Sequence, residues 1–389
     1  MTVIPLGTVA DVFNGKTPSK AEQRVLGHPV LKIKDVSESG SFKGAFSGFV
    51  DEGLARKYAA KWLAPGDTLI LNAAHNAEYV ASKSYLATQA VSGSLPTGEW
   101  AIVRPNPGKL LPQYCYFWFQ SDRAKQAIRF LVKGIHLYPK DIATLLIGVP
   151  GLSEQRRIVD LLSRAENIVR MRQEAEQKAK EVIPALFLDM FGDPATNSKG
   201  WMVEALEDLG TLDRGRSRHR PRNAAHLYGG KYPFVQTGDV TRSGGALTTH
   251  QQTYTDAGLA QSKLWPIGTL CITIAANIAE TGILTFDACF PDSVVGFLPG
   301  AHVRTAYIQE WLGFLRPTLA AQAPQAAQKN INLAILRSLR VPVPPLELQD
   351  AYTGRVRSIR GIQSSQRDAS VRAGQAFQSL LAGVFGERV

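Results

Sequence analysis

The densest chemistry in the chain is a run of arginines. Arg214-Gly215-Arg216-Ser217-Arg218-His219-Arg220-Pro221-Arg222 holds five arginines in nine positions. So compact a cationic run repels itself unless an anion lies against it. Arginine rather than lysine is used throughout, and its planar fork suits bidentate contact with phosphate or with guanine. Arg214, Arg216, Arg218, His219, Arg220 and Arg222 are therefore candidates for nucleic-acid contact, with a solvated loop as the plain alternative. A milder basic loop, Lys16-Thr17-Pro18-Ser19-Lys20, offers Lys16, Thr17, Ser19 and Lys20 at the corresponding place near the N-terminus. Two further loops, Lys133 to Lys140 and Gln328 to Asn332, add Lys133, His136, Lys329 and Asn330, equally readable as ordinary turn residues. Asn72, His75 and Asn76, paralleled by Asn277, follow two apolar runs; asparagine can read adenine bidentately, though it is also a common loop residue.

Enzyme motifs fail on spacing. Asn14-Gly15-Lys16-Thr17 resembles the end of a phosphate-binding loop, but Ala10 stands where that loop needs its first glycine. No glycine-rich fingerprint opens a helix after a strand, and no Asn-Pro-Pro-aromatic run occurs. The seven histidines are scattered singly, and Cys115, Cys271 and Cys289 have no paired spacing, so neither a metal site nor a disulfide framework is expected. Asp287 and Asp292 are the nearest carboxylate pair in an apolar setting, without the lysine a nuclease would add. The expectation is a chain with no catalytic residue, no metal and no cofactor of its own.

The surrounding composition agrees with a polyanionic partner. Lysine and arginine outnumber aspartate and glutamate 44 to 33, a formal charge of +11. At 389 residues, 44% of them hydrophobic, the chain is long enough for two or three globular units. No apolar stretch approaches membrane-spanning length and the first residues lack a signal-peptide pattern, which reads as a cytoplasmic protein with no membrane partner.

The elements that must position these loops are duplicated. Residues 142–193 align without a gap on 336–387, at a constant offset of 194. Val149-Pro150-Gly151-Leu152-Ser153-Glu154-Gln155 matches Val343-Pro344-Pro345-Leu346-Glu347-Leu348-Gln349, and Phe191-Gly192 matches Phe385-Gly386. The preceding segments correspond more loosely: Leu6-Gly7-Thr8 with Leu209-Gly210-Thr211, Pro29 to Asp35-Val36 with Pro233 to Asp239-Val240, and Gly66 to Ile70 with Gly268 to Ile272. The order is domain, helix, domain, helix, with boundaries at 1–150, 151–193, 194–344 and 345–389.

Ser153 to Ala185 reads as one helix capped by Ser153. Its apolar positions Ile158, Ala165, Ala179 and Leu186 interleave with Leu161, Ile168, Ala175 and Val182 in steps of three and four, a coiled-coil seam interrupted by Arg172. The second copy repeats it more weakly, with Tyr352, Ile359, Gln366, Ala373 and Leu380 against Arg355, Ile362, Ala369 and Ala376. Each helix needs a partner. The other copy, packed antiparallel, is the economical one; a helix of another chain is the rival. The fold class expected is α+β: two mixed α/β domains and two long helices packed as an antiparallel coiled coil, with a pseudo-two-fold internal repeat.

Taken together and in this order, the Leu-Gly start, the strand ending in Asp-Val, the Pro-x-Leu-x-x-Gln entry to each helix and the Phe-Gly close resemble the DNA-specificity subunit of type I restriction-modification systems over essentially the whole chain. The resemblance implies two target recognition domains reading double-stranded DNA at a bipartite site. It also implies two bound methyltransferase subunits carrying S-adenosylmethionine, and motor and nuclease subunits carrying ATP and Mg. Unequal basic loops in the two domains predict an asymmetric target. A helix of about 30 residues spans roughly 45 Å, about 13 base pairs, so the helices would act as a ruler between half-sites. A standalone nucleic-acid-binding adaptor or regulator is the alternative function.

Overall fold

The computed structural model describes residues 2–275, 278–322 and 332–386, with the backbone alone for 320–322. The candidates Asn277, Lys329 and Asn330 lie outside the described residues. The chain divides into two compact units of mixed helix and sheet, one made of Met1–Glu174 with Asp368–Val389, the other of Ala175–Arg367.

In the first unit the strand Thr2–Pro5 pairs antiparallel with Leu146–Val149, the strand that delivers the chain to the first long helix. Between them runs an antiparallel sheet in the order Ala10–Asn14, Trp100–Pro105, Thr68–Leu71, Ser84–Leu86. Thr68–Leu71 is buried along its whole length, with Leu69 and Leu71 in one core cluster and Ile70 in another. A smaller sheet holds Gln23–Arg24, Phe49–Val50, His28–Leu31 and Leu95–Pro96. The expected strand from Pro29 stops at Leu31, where Lys32 to Val36 turns instead. The Asp35 carboxylate accepts the Lys32 amide at 2.9 Å, and Asp239 does the same for Gln236 in the second unit. The Asp-Val signature is thus a local turn lock.

The second unit repeats this plan with its own dimensions. Met202–Ala205 pairs with Arg340–Val343, and the larger sheet runs Gly210–Arg214, Val294–Pro299, Leu270–Thr273, Thr281–Leu284, Ala246–Leu247. A second sheet holds Gln252–Tyr254, Tyr228–Phe234, Ala288–Cys289 and Leu264–Trp265. Cys115, Cys271 and Cys289 are buried and unpaired, and burial pushes the Cys115 thiol up to about 12.

The first long helix covers Leu152–Ala179, with a shorter one, Val182–Phe191, directly after it. It opens one residue before the expected cap: the Gln155 amide donates to the Gly151 carbonyl at 3.0 Å, so Gly151 occupies the boundary and Ser153 lies in the first turn. The interruption at Lys180–Glu181 comes before Pro184, because proline has no amide to give Lys180 and its ring crowds that carbonyl. The second long helix runs unbroken from Leu346 to Phe385.

Both helix entries are held by the glutamine of the repeated motif. Gln155, fully buried, accepts from the Leu111 amide at 2.8 Å and donates to the Lys109 and Pro150 carbonyls at 3.0 and 2.9 Å. Gln349, also fully buried, accepts from the Arg304 amide at 2.8 Å and donates to the His302 and Pro344 carbonyls at 3.1 and 2.8 Å. Each glutamine ties the first turn of a helix to the loop that precedes the domain's main helix, Pro112–Gln120 in the first unit and Thr305–Gln322 in the second.

Helix ends complete the cores. In the first unit Phe377, Leu381 and Phe385 join Ile158, Leu162, Tyr114 and Phe117 in one cluster, with Phe385 edge-on to Tyr114 at 5.3 Å. In the second, Ile183, Phe187 and Phe191 join Tyr307, Tyr352 and Val356, with Phe191 edge-on to Tyr307 at 4.9 Å. Gln363 donates to the Ala179 carbonyl at 2.6 Å and Arg367 lies 3.7 Å from Glu176.

The buried stripe differs in phase from the expected seam. Ile158, Ala165, Ala179 and Leu186 do turn inward at least partly, but their expected partners do not: Leu161, Ile168 and Val182 are exposed. Leu162, Val169, Glu176 and Ile183, one position later, take that place. In the second long helix Val356, Gln363 and Phe377 likewise replace Arg355, Ile362 and Ala376, while Ala369 and Ser370 are both half-buried. The three-and-four alternation is kept, but half of it is displaced by one residue.

Candidate nucleic-acid interface

In the first unit the strand pairing of Ala10–Asn14 with Trp100–Pro105 carries the chain out through Gly15 into the Lys16 loop. Gly15 is pressed onto the segment before Trp100: its amide donates to the Trp100 carbonyl and that of Lys16 to the Pro96 carbonyl, and a Cβ on Gly15 would overlap the Pro96 and Thr97 oxygens. Thr17 is pinned by accepting the Gly98 amide at 2.8 Å and donates to the Glu99 carboxylate at 3.3 Å. From the other side Asn72, at the end of Thr68–Leu71, donates to the Asn14 side chain at 2.9 Å and the Gly98 carbonyl at 3.2 Å. The Leu137 amide donates to the Asn72 carbonyl, which brings the His136 loop alongside.

Four segments far apart in sequence thereby line one pocket of about 270 Å³, with Thr17, Asn72, Glu99, His136 and Tyr138 among its walls. Its margin is cationic. Lys16 sits 5.5 Å over the Tyr58 ring, and Lys61 donates to the Asn14 and Gly15 carbonyls at 2.7 and 3.2 Å. Burial, with Lys16 nearby, lowers the Lys61 pKa from its usual value.

The other candidates of this unit fare unequally. Asn72 is 4% exposed and its amide is already committed, so in this arrangement it shapes the pocket and presents no free donor. His75 and Asn76 are exposed, and Asn76 caps the Ala77–Tyr79 turn. Lys133 is exposed but paired with Asp141 at 2.9 Å. Ser19 and Lys20 are exposed at the start of a single turn locked by Glu22.

The arginine run of the second unit leaves its sheet in the same way. Gly215 donates to the Val294 carbonyl and Arg216 to the Phe290 carbonyl, and a Cβ on Gly215 would overlap the Phe290 and Pro291 oxygens. The run is not uniform. Arg220 folds back onto the Ser217 and His219 carbonyls, both at 2.8 Å, and Arg222 pairs with Asp292 at 2.8 Å. The His219 amide is held by Gln261, and its ring packs against His226. Arg214, Arg216 and Arg218 remain exposed with no acidic partner among the described residues. The loop is therefore a folded frame presenting three free guanidiniums. Beside it Ser217, Arg222, Gln236, Pro291 and Ser293 line a second pocket, of about 210 Å³.

The carboxylates weighed for hydrolysis are structurally employed: Asp292 binds Arg222, and Asp287 accepts the Ile267 amide at 2.8 Å. Among the described residues no three His, Cys, Asp or Glu side chains gather as metal ligands, and no helix is long and apolar enough to cross a membrane. Sequence reasoning missed Glu99, Lys61 and Ser293. The signal for two of them was present, since Glu99 and Ser293 stand 194 residues apart, at the same offset as the helices.

Comparison with known proteins bears on these surfaces. Residues 198–352 match the family model of the type I restriction modification DNA specificity domain. A protein of Methanocaldococcus jannaschii named as a type I restriction enzyme MjaX specificity subunit is 21% identical over 376 residues, covering 91% of this chain and 85% of its own. Among solved structures, a chain from a type I restriction-modification complex superposes with a TM-score of 0.61 at 18% identity, over 100% of this chain and 98% of that one. The specificity subunit from M. genitalium gives 0.59 at 13%, over 100% and 96%. These last two likenesses concern the fold.

Proposed function

Because the chain belongs to the type I restriction-modification specificity family, whose DNA specificity domain its residues 198–352 match, we propose that its two units each read one half of an asymmetric, bipartite DNA site. DNA sequence recognition is the family's part in the system; the division between units is our reading. The observation that carries it is the shared construction of the two candidate surfaces. In both units a glycine-hinged loop leaves the sheet beside a polar pocket, and the two loops differ in charge. A common frame with unequal readers fits an asymmetric target.

The helices are the second half of the proposal. They pair antiparallel in the chain itself, and their length acts as the spacer between half-sites. The stretches that supply each core with both helices support this, as does the repeat of the Gln155 and Gln349 anchors. Their outer faces would hold two copies of a methyltransferase that carries S-adenosylmethionine and modifies adenine. Ile168 and Ile362, again 194 residues apart, are 52% and 60% exposed, so an outward apolar position is itself duplicated. Motor and nuclease subunits carrying ATP and Mg would join that assembly in the cytoplasm, and this chain would contribute recognition without chemistry.

Mapping methylated adenines in the host genome with and without the gene tests the reading. The expected result is loss of methylation at one motif of two unequal half-sites around a fixed spacer. An unchanged methylation pattern would refute it. Failure to co-purify with a methyltransferase would instead favour a standalone regulator.

A further inference from the structure

The pocket of the first unit contains a carboxylate that its own surroundings leave unspent. Glu99 is half-buried in the wall, and among the described residues its carboxylate takes only the long 3.3 Å hydrogen bond from Thr17. Among the described residues it has no ion pair, although the margin of the pocket carries Lys16 and Lys61. A phosphate drawn to those lysines is repelled by the carboxylate in the wall. A carboxylate can instead accept from the amino group on a base edge, the N4 of cytosine or the N6 of adenine.

The second unit supports the same conclusion by contrast. The Lys16 amide meets the Pro96 carbonyl, and the Arg216 amide meets that of Phe290, so Ser293 follows Phe290 as Glu99 follows Pro96. Ser293 lines the second pocket beside Ser217, as Glu99 lines the first beside Thr17. The frame is held constant by backbone hydrogen bonds while the polar group at this place in the wall changes from carboxylate to hydroxyl.

We propose that Glu99 is a base-reading residue, whose carboxylate accepts a hydrogen bond from the exocyclic amino group of one cytosine or adenine in the half-site taken by the first unit. This rests on the DNA-recognition reading above. The test is enrichment of randomised duplexes by the full-length chain, wild type and Glu99→Ala, with thermal unfolding confirming that both are folded. Glu99→Ala should lose about tenfold discrimination at one base pair and keep the rest of the motif. Duplexes carrying pyrimidin-2-one for the cytosine or purine for the adenine at that pair, each lacking the amino group, then identify the base. The correct analogue should weaken the wild type about tenfold and leave Glu99→Ala unchanged. An identical motif for both proteins, or equal weakening of both proteins by the analogue, overturns the role of Glu99 while leaving DNA recognition standing. No enrichment by the wild type overturns both.

Discussion

Replacing Gln349 with leucine should detach the second long helix from its unit at a measurable cost. Gln349 is fully buried and makes three hydrogen bonds, with the Arg304 amide and the His302 and Pro344 carbonyls. Leucine is close in volume, so the packing loss is small and the polar loss dominates. Each bond is worth about 0.5–1.5 kcal/mol net, and a buried partner left unsatisfied costs about 1–3 kcal/mol. Water can reach part of the site as it loosens, which brings the sum to about 3–5 kcal/mol, a large share of a typical domain's stability of about 5–15 kcal/mol. Urea unfolding would read this as a lower midpoint, and hydrogen exchange would place the lost protection in residues 175–367. Gln155→Leu should do the same to the other unit, since its three bonds match. A loss below about 1 kcal/mol, or protection lost evenly over both units, would refute the view that these glutamines are the local anchors.

Replacing Arg216 and Arg218 with alanine should weaken DNA binding and reduce the slope of log affinity against log salt by about 2, roughly one per phosphate contact. An unchanged slope would remove the loop from the phosphates. Inserting four residues, about one helical turn, within Leu152–Ala179 should lengthen the preferred spacer in a site-mapping assay; an unchanged spacer contradicts the ruler. Glu166 offers a pH test: burial raises its pKa, against hydrogen bonds from Gln120 and Tyr116 that lower it. A raised folded-state pKa for a carboxyl means the fold favours the protonated form, so its contribution worsens as pH rises from the unfolded carboxyl range through the folded value. Glu166→Gln should therefore raise Tm at neutral pH and leave it nearly unchanged below about pH 4; equal shifts at both would point to packing instead.

The long helices and their entries were legible because they rest on local chemistry. Proline and glycine before Leu152, apolar residues in steps of three and four, and a glutamine recurring at a fixed offset all act within a few turns. The seam was misphased because an apolar residue is no guarantee of an inward one. Leu161 and Ile168 face outward, while Glu176, Gln363 and Ser370 occupy the buried stripe. Hydrophobic pattern alone skips such positions, where polar groups such as Gln363 settle their hydrogen bonds across the packed face. The arginine run was found by its density, but its internal division was not readable. Whether an arginine points outward or returns to a carbonyl, as Arg220 does, depends on the turn it sits in. The pocket was least accessible to the sequence: Thr17, Glu99 and His136 meet only because Ala10–Asn14 pairs with Trp100–Pro105 and the Leu137 amide reaches Asn72.

The allocation of helix ends to cores also governs the order in which the molecule can be made. Ala175–Arg367 is one continuous stretch of chain, whereas the first unit waits for Phe377, Leu381 and Phe385. On the ribosome, the half synthesised first is therefore finished last, and the later half can close its core while the earlier one still lacks three of its buried side chains. A stop codon after Arg367 would spare the unit just completed and expose the apolar interior of the one begun at the first residue.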